Sequence, residues 1–323
     1  AGSFRRMRET VGDIDILATS NNSQKLTEFF LAEIKHTKIW GKGPTKVSVR
    51  TQHGFDVDLR VLPEETFGAG LQYFTGSKEH NVKLRTLAIE KGYKVSEYGV
   101  FKGKKRVTCK TEEEVYRALG LPYIEPELRE DTGEIEAALR QAQGKLPGLP
   151  KIIPYGSLQG DLQVQTDWTD GEHSIEDMAK EAKRQGLSYI AITDHTKDLA
   201  MTGGSDEKKL LKQMAEIDRV NKRVSGITVL KGAEVNIRKD GTLDIADEVL
   251  AKLDVVGAAV HSLFKLPKKE MTARIIRAMK NRHVDILFHP TGRLIQKREP
   301  YEVDIGEVIQ AAKRTGTLLE INA

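Results

Sequence analysis

Between residues 11 and 18 apolar and polar positions alternate, which predicts a strand. Successive side chains of a strand face opposite ways, so Asp13 and Asp15 share one face while Ile14 and Ile16 turn to a core. Residues 23–33 follow as a helix capped by Ser23, and residues 46–50 and 56–62 as further strands, the last setting Asp56 and Asp58 on one face. Residues 77–91 carry a helical stripe of Leu84, Leu87 and Ala88 that stops at Gly92. Residues 111–119 form a second helix there, opened by a Thr111–Glu114 capping box.

The rhythm changes near residue 150. Prolines and glycines at 144–154 break both helix and strand and read as a linker. Beyond it, apolar strands at 161–166, 189–193, 228–234, 255–260, 285–288 and 317–321 alternate with helices such as 175–185 and 207–224. Repeated βα units imply a parallel sheet or barrel whose chemistry gathers at the C-terminal ends of the strands. The expected organisation is therefore 1–70, 71–140, a linker at 141–155, and 156–323.

Composition narrows the class. The 323 residues are 39% hydrophobic and 30% charged, ordinary for a folded domain pair, and no apolar run approaches a membrane span. One cysteine, Cys109, excludes a disulfide framework and fits a reducing compartment, so a cytoplasmic setting is expected. A net charge of +4 permits an anionic partner. The basic cluster Lys102, Lys104, Lys105 and Arg106 reads as a phosphate contact or, equally, as a solvated hairpin around Gly103.

Two carboxylates side by side repel unless cations sit between them, so Asp13 and Asp15 read as a magnesium site, and Asp56 or Asp58 offers a third acid. The Gly2-Ser3 turn ahead of them reads as a phosphate cradle. In this form the run Gly2-Ser3-Phe4-Arg5-Arg6 through Gly12-Asp13-Ile14-Asp15 resembles the palm of a family X DNA polymerase, the DNA polymerase beta group. Tyr73-Phe74-Thr75-Gly76-Ser77, Asn81, Arg85 and Glu97-Tyr98-Gly99 resemble that family's thumb.

The resemblance implies that Asp13 and Asp15 bridge two Mg²⁺ or Mn²⁺ ions and that Asp58 binds the catalytic one, with Asp56 only a neighbour. It implies that Ser3 and Arg6, on the Gly2 turn, hold the triphosphate of a deoxynucleoside triphosphate. Tyr73, Phe74 and Gly76 line its sugar, Asn81 reaches the base, and Arg85 touches template DNA.

The second half resembles a PHP (polymerase and histidinol phosphatase) domain. Thr193-Asp194-His195, Glu234, His261 and His289 match its motifs, with Asp170 after the first strand, and these imply a Zn²⁺ or Mn²⁺ phosphoesterase site. His173 and His283 read as ordinary surface or core histidines. Where the family writes His-x-His this chain has Gln163 and Gln165, and neutral amides ligate such metals poorly. The expected fold class is α/β: a nucleotidyltransferase palm and small α+β thumb, then an incomplete (βα) barrel of PHP type.

The expected activity is gap-filling DNA polymerisation in repair by a piece of a longer polymerase, with an impaired 3′–5′ exonuclease-like domain. The rivals are a 3′-end phosphoesterase working through the PHP site and a non-catalytic DNA-binding scaffold.

Overall fold

The computed structural model describes residues 1–321, which fall into two compact units, one ending at Ile152 and the other beginning at Ile153. Asn322 and Ala323, which end the expected 156–323 segment, lie outside the described residues. Among the described residues no helix is long and apolar enough to cross a membrane.

The first unit opens with a single helical turn, α1 (Gly2–Arg5), where a plain turn was expected. Then come β1 (Asp13–Thr19), α2 (Ser23–Glu33), β2 (His36–Lys42), β3 (Lys46–Thr51) and β4 (Asp56–Leu62). Asn22, not Ser23, caps α2, its side chain accepting from the Lys25 backbone N–H at 2.9 Å. The sheet order is β1-β4-β3-β2, with β1 parallel to β4 and the other pairs antiparallel.

Pattern explains its two faces. Val47, Val49 and Val57 bury against Ile14 and the α2 side chains Phe30 and Leu31. The alternating residues Ser48, Arg50, Asp56 and Asp58 turn to the other face. Ile16 departs from expectation: β1 is an edge strand and leaves it 39% exposed.

Next come α3 (Phe67–Thr75), α4 (Lys78–Glu90), the three-stranded sheet β5 (Lys94–Ser96), β6 (Gly99–Lys102) and β7 (Lys105–Thr108), then α5 (Glu112–Ala118) and α6 (Glu134–Ala142). The α4 stripe packs as read, with Leu84 and Ala88 fully buried, and Thr111 Oγ1 caps α5 by accepting from Glu114 N–H at 3.2 Å. The Lys102–Arg106 cluster is the β6–β7 hairpin, turning at Gly103. Residue 70 falls inside α3.

The second unit is a parallel half-barrel. It runs β8 (Gly160–Val164), α7 (Ile175–Arg184), β9 (Tyr189–Ile192), α8 (Glu207–Arg223), β10 (Thr228–Asn236) and α9 (Asp247–Leu250). It continues through β11 (Val255–Ala259), α10 (Lys268–Met279), β12 (Ile286–Leu287), α11 (Ile305–Thr315) and β13 (Leu318–Leu319). The six strands pair in simple sequence order, β8 to β13, as expected of an incomplete barrel of PHP type. One sheet face buries Ala191, Val255, Ala259 and Ile286 around Phe288, and the other packs on the helices. A methyl group on Gly257 would overlap the Phe288 ring, so only glycine fits there. The last strand is shorter than its apolar run suggested, and Leu318 is 61% exposed, β13 being the outer strand among the described residues.

Candidate active sites

In the first unit, parallel pairing sets Asp13 beside Asp56 and Asp15 beside Asp58. Burial, with repulsion from Asp13 and Asp58, pushes the Asp15 carboxyl above its ordinary pKa. That crowding is the signature of a group that cations would relieve. Asp58 has Lys46 Nζ 3.2 Å from Oδ2. Asp56 is diverted: Arg50 grips it through Nε at 2.8 Å and Nη2 at 2.7 Å, and Trp40 Nε1 donates to it at 2.9 Å. These bonds hold its carboxyl at about 2, below the usual range.

The Gly2 turn reaches the acids. Gly2 has φ +62°, and a side-chain carbon there would overlap Asp15 Oδ2, so the close approach demands glycine. Ser3 is half-buried on the same turn. Arg6 is engaged, its Nε 2.7 Å from Glu130 Oε1 and its Nη1 donating to the Thr75 carbonyl at 2.9 Å. Arg5 meets Glu112, which also takes the buried Arg129.

Tyr73 and Phe74 lie half-buried at the end of α3, rings edge to face at 5.1 Å, with the Arg60 guanidinium 4.9 Å over Phe74. Asn81 is turned inward: its amide donates to Tyr73 O at 2.6 Å and accepts from Gln72 at 3.0 Å, bracing the bend at Gly76. Arg85 Nε donates to Asn81 O at 3.2 Å, one turn back along α4.

The second unit gathers its chemistry around one carboxylate. Glu234, 1% exposed near the end of β10, has the Nε2 atoms of His261 and His289 at 2.9 and 2.7 Å from Oε1. Its Oε2 accepts from the amides of Gln163 at 3.1 Å and Gln165 at 3.0 Å. His195 Nδ1 lies 3.8 Å from Oε2, and its Nε2 lies 3.4 Å from Asp170 Oδ2.

Burial alone would raise the Glu234 pKa, but the His261 and His289 hydrogen bonds hold it well below the carboxylate range. Burial works against a charged His289, and its bond to Glu234 more than reverses that. His195, Glu234 and His261 bring ligand atoms within 4.8 Å of one another, close enough to share an ion, whereas Asp13, Asp15 and Asp58 share a register without all three drawing that close. His195 Nδ1 is buried without a hydrogen-bond partner among the described residues, as a nitrogen kept for a cation would be. The chemistry of these donors fits Zn²⁺ or Mn²⁺. His173 and His283 lie outside the cluster.

Outer partners set the ligand orientations. His261 Nδ1 donates to Asn236 Oδ1 at 2.7 Å, and Asn236 spends its amide hydrogens on Thr196 and Asp244 Oδ2, the latter at 2.8 Å. That anchors the ring so that its Nε2 faces Glu234 and the centre. His289 takes φ +29°, an unusual backbone for a non-glycine residue, with its N–H donated to Glu320 Oε2 at 2.5 Å. Buried Asp194 ties Thr166, Thr169 and Gln213 beneath the site. The mouth is a cavity of about 590 Å³ lined by these ligands and by Arg293 and Arg298.

Residues 70–130 match the DNA polymerase beta thumb family, and residues 161–323, half of the chain, match the PHP domain family. The chain is 40% identical over its whole length to the DNA polymerase/3′-5′ exonuclease PolX of Bacillus subtilis, and it spans 56% of that protein. It is 35% identical over 153 residues, 46% of the chain and 56% of the relative, to a probable phosphatase of Caldanaerobacter subterraneus. A crystal structure of Leishmania infantum polymerase beta in a ternary complex aligns with 26% identity and a TM-score of 0.36, over 40% of this chain and 66% of that one. The chain thus belongs to the PHP domain family and is a PolX-like protein, a homologue of DNA polymerases, in which a DNA polymerase beta thumb precedes the PHP domain.

Proposed function

We propose that this chain carries the nucleotidyl-transfer centre of a family X DNA polymerase that extends primer 3′-ends in gapped DNA. The observation that carries the reading is the register of Asp13, Asp15 and Asp58 on adjoining strands, with Gly2 packed directly on Asp15. In this reading residues 1–70 act as palm and 71–140 as thumb, and the protein works in the cytoplasm on DNA and deoxynucleoside triphosphates.

Divalent ions, Mg²⁺ or Mn²⁺, would be held by Asp13, Asp15 and Asp58 and would supply charge neutralisation and acidification of the attacking hydroxyl. In this reading Asp58 would receive the primer's 3′ proton. Lys46 balances Asp58 until substrate arrives. Ser3 and the Gly2 turn hold the β- and γ-phosphates, and Arg6 exchanges Glu130 for phosphate oxygens. Tyr73, Phe74 and Gly76 shape the sugar pocket. Asn81 supports it from behind or turns out to the base, and Arg85 faces the template.

A second reading has its own support. The His195, Glu234 and His261 cluster, with Asp170 and His289 beside it, suits metal-assisted phosphoester hydrolysis at a DNA 3′-end, and Arg293 and Arg298 at the mouth suit an anionic substrate. We infer that this activity is impaired, because Gln163 and Gln165 spend amide hydrogens on the Glu234 oxygen that a cation would take.

One-nucleotide gap filling with Mg²⁺ and then Mn²⁺ tests the first reading. Wild type should extend, and Asp58→Ala should lose at least about 100-fold, since removing a group central to transition-state stabilisation costs roughly 2.7–4 kcal/mol. Equal extension by both proteins sinks it and leaves a scaffold.

A further inference from the structure

Trp40 presents an arrangement that the nucleotidyl-transfer reading leaves unused. It sits on edge strand β2, at the irregularity between Ile39 and Gly41, and it is 52% exposed. An indole so open is normally free to swing. This one is pinned: its Nε1–H donates to Asp56 Oδ1 at 2.9 Å, and Asp56 is clamped in turn by the two-point Arg50 contact. Lys38 places its ammonium 3.8 Å over the ring, and the Arg50 guanidinium lies 5.8 Å from it.

Because Arg50 neutralises Asp56, the charge this patch offers to solvent is positive. The patch is also continuous with the acids, since Asp56 pairs directly with Asp13 in the parallel register. From β1 to β2 is three strand spacings, roughly 14 Å at about 4.8 Å each. At about 3.4 Å of rise per nucleotide, that distance spans roughly four nucleotides of one strand.

We propose that Trp40, Lys38 and Arg50 form a landing site for the sugar–phosphate edge of a DNA strand, a few nucleotides behind the reacting 3′-end. The proposal rests on the polymerase reading of the Asp13 centre. An indole held rigid before binding loses little entropy when a deoxyribose packs on it. Lys38 moves from the ring face to a phosphate, and Arg50 keeps Asp56 from repelling the backbone. Recognition of this kind is blind to sequence and sensitive to salt. Charge complementarity and the shared face with the acids favour a nucleic acid over a protein partner.

The test is equilibrium binding of the whole chain to a fluorescent gapped DNA duplex across a salt series. Trp40 is one of two tryptophans, so a W168F background isolates its emission, and added duplex should quench it. W40A should weaken binding about ten-fold or more, as loss of a packed aromatic face does. W40F, which keeps a ring but loses the N–H that pins it to Asp56, should fall between wild type and W40A, and an affinity equal to W40A would leave the ring face no part in binding. K38A changes an exposed lysine and should lower the slope of log K against log salt by about one.

Wild-type affinity in W40A with an unchanged slope in K38A overturns the landing site while leaving the polymerase reading intact, and it points the patch toward a protein. Absence of duplex binding by the wild type overturns both.

Discussion

Placing histidine at positions 163 and 165 is the most direct way to ask what the two glutamines do. Each amide donates to Glu234 Oε2, at 3.1 and 3.0 Å, so this buried carboxylate oxygen is already satisfied. Hydrogen bonds to a charged group contribute about 1.5–3 kcal/mol each. A cation seeking Oε2 must therefore displace roughly 3–6 kcal/mol of interaction before it gains anything. Neutral imidazoles at both positions remove that competition and add two nitrogen ligands.

At 1.4 kcal/mol per decade, the lower bound alone predicts about 100-fold tighter Zn²⁺ or Mn²⁺ binding by the Q163H/Q165H double variant. Calorimetric titration of both proteins, with chelator competition for the tighter, measures the difference. Release of nucleotides from a labelled 3′-end should rise with it. A double variant that folds like wild type yet binds metal no more tightly would refute the amide-clamp argument. Brisk trimming by the wild type would refute the inferred impairment.

Other outcomes follow from the same geometry. Asp244→Asn breaks the chain from Asp244 through Asn236 to His261 and should lower metal affinity about 10–100-fold in chelator titrations, without touching gap filling. Gly2→Ala forces a side chain onto Asp15 and a positive φ on alanine; single-turnover incorporation should fall ten-fold or more, as an αL strain of about 1–2 kcal/mol adds to the overlap. Glu112→Gln should cost about 3–5 kcal/mol in urea unfolding at pH 7, because Arg5 and the buried Arg129 lose their shared counter-ion. Burial would raise the Glu112 pKa, but the two arginines depress it, so its stabilisation holds above about pH 4.5 and is lost as pH falls through the lower folded value. Wild-type stability should thus fall more steeply than that of the variant below pH 4.5.

Local chemistry made much of this protein legible before any fold was known. Alternation alone put Asp13 and Asp15 on one face and Asp56 and Asp58 on another, because a strand has no other way to dispose its side chains. Helix stripes, the Thr111 cap and the βα rhythm were equally local. The histidines and Glu234 stood out because each falls at a strand exit, where a parallel sheet collects its polar ends.

Which groups meet was decided by pairing across long stretches of chain. Parallel β1–β4 register, not spacing, brought Asp58 to Asp15 and left Asp56 to Arg50 and Trp40. Nothing local foretold β2, whose residues have little to bury, or the exposed Ile16 on an edge strand. Glu234 became the hub for three histidines and two glutamines because β10 lies centrally in its sheet, with the neighbouring strands delivering their ends to it. Burial turned Asn236 and Asp244 into supports, since a buried polar group needs its partners, and Thr196 and His261, which follow the neighbouring strands, supply them. Sequence thus determined which side chains carry charge and which way each strand presents them, while tertiary register decided their distances, on which cation sharing and every pKa depend.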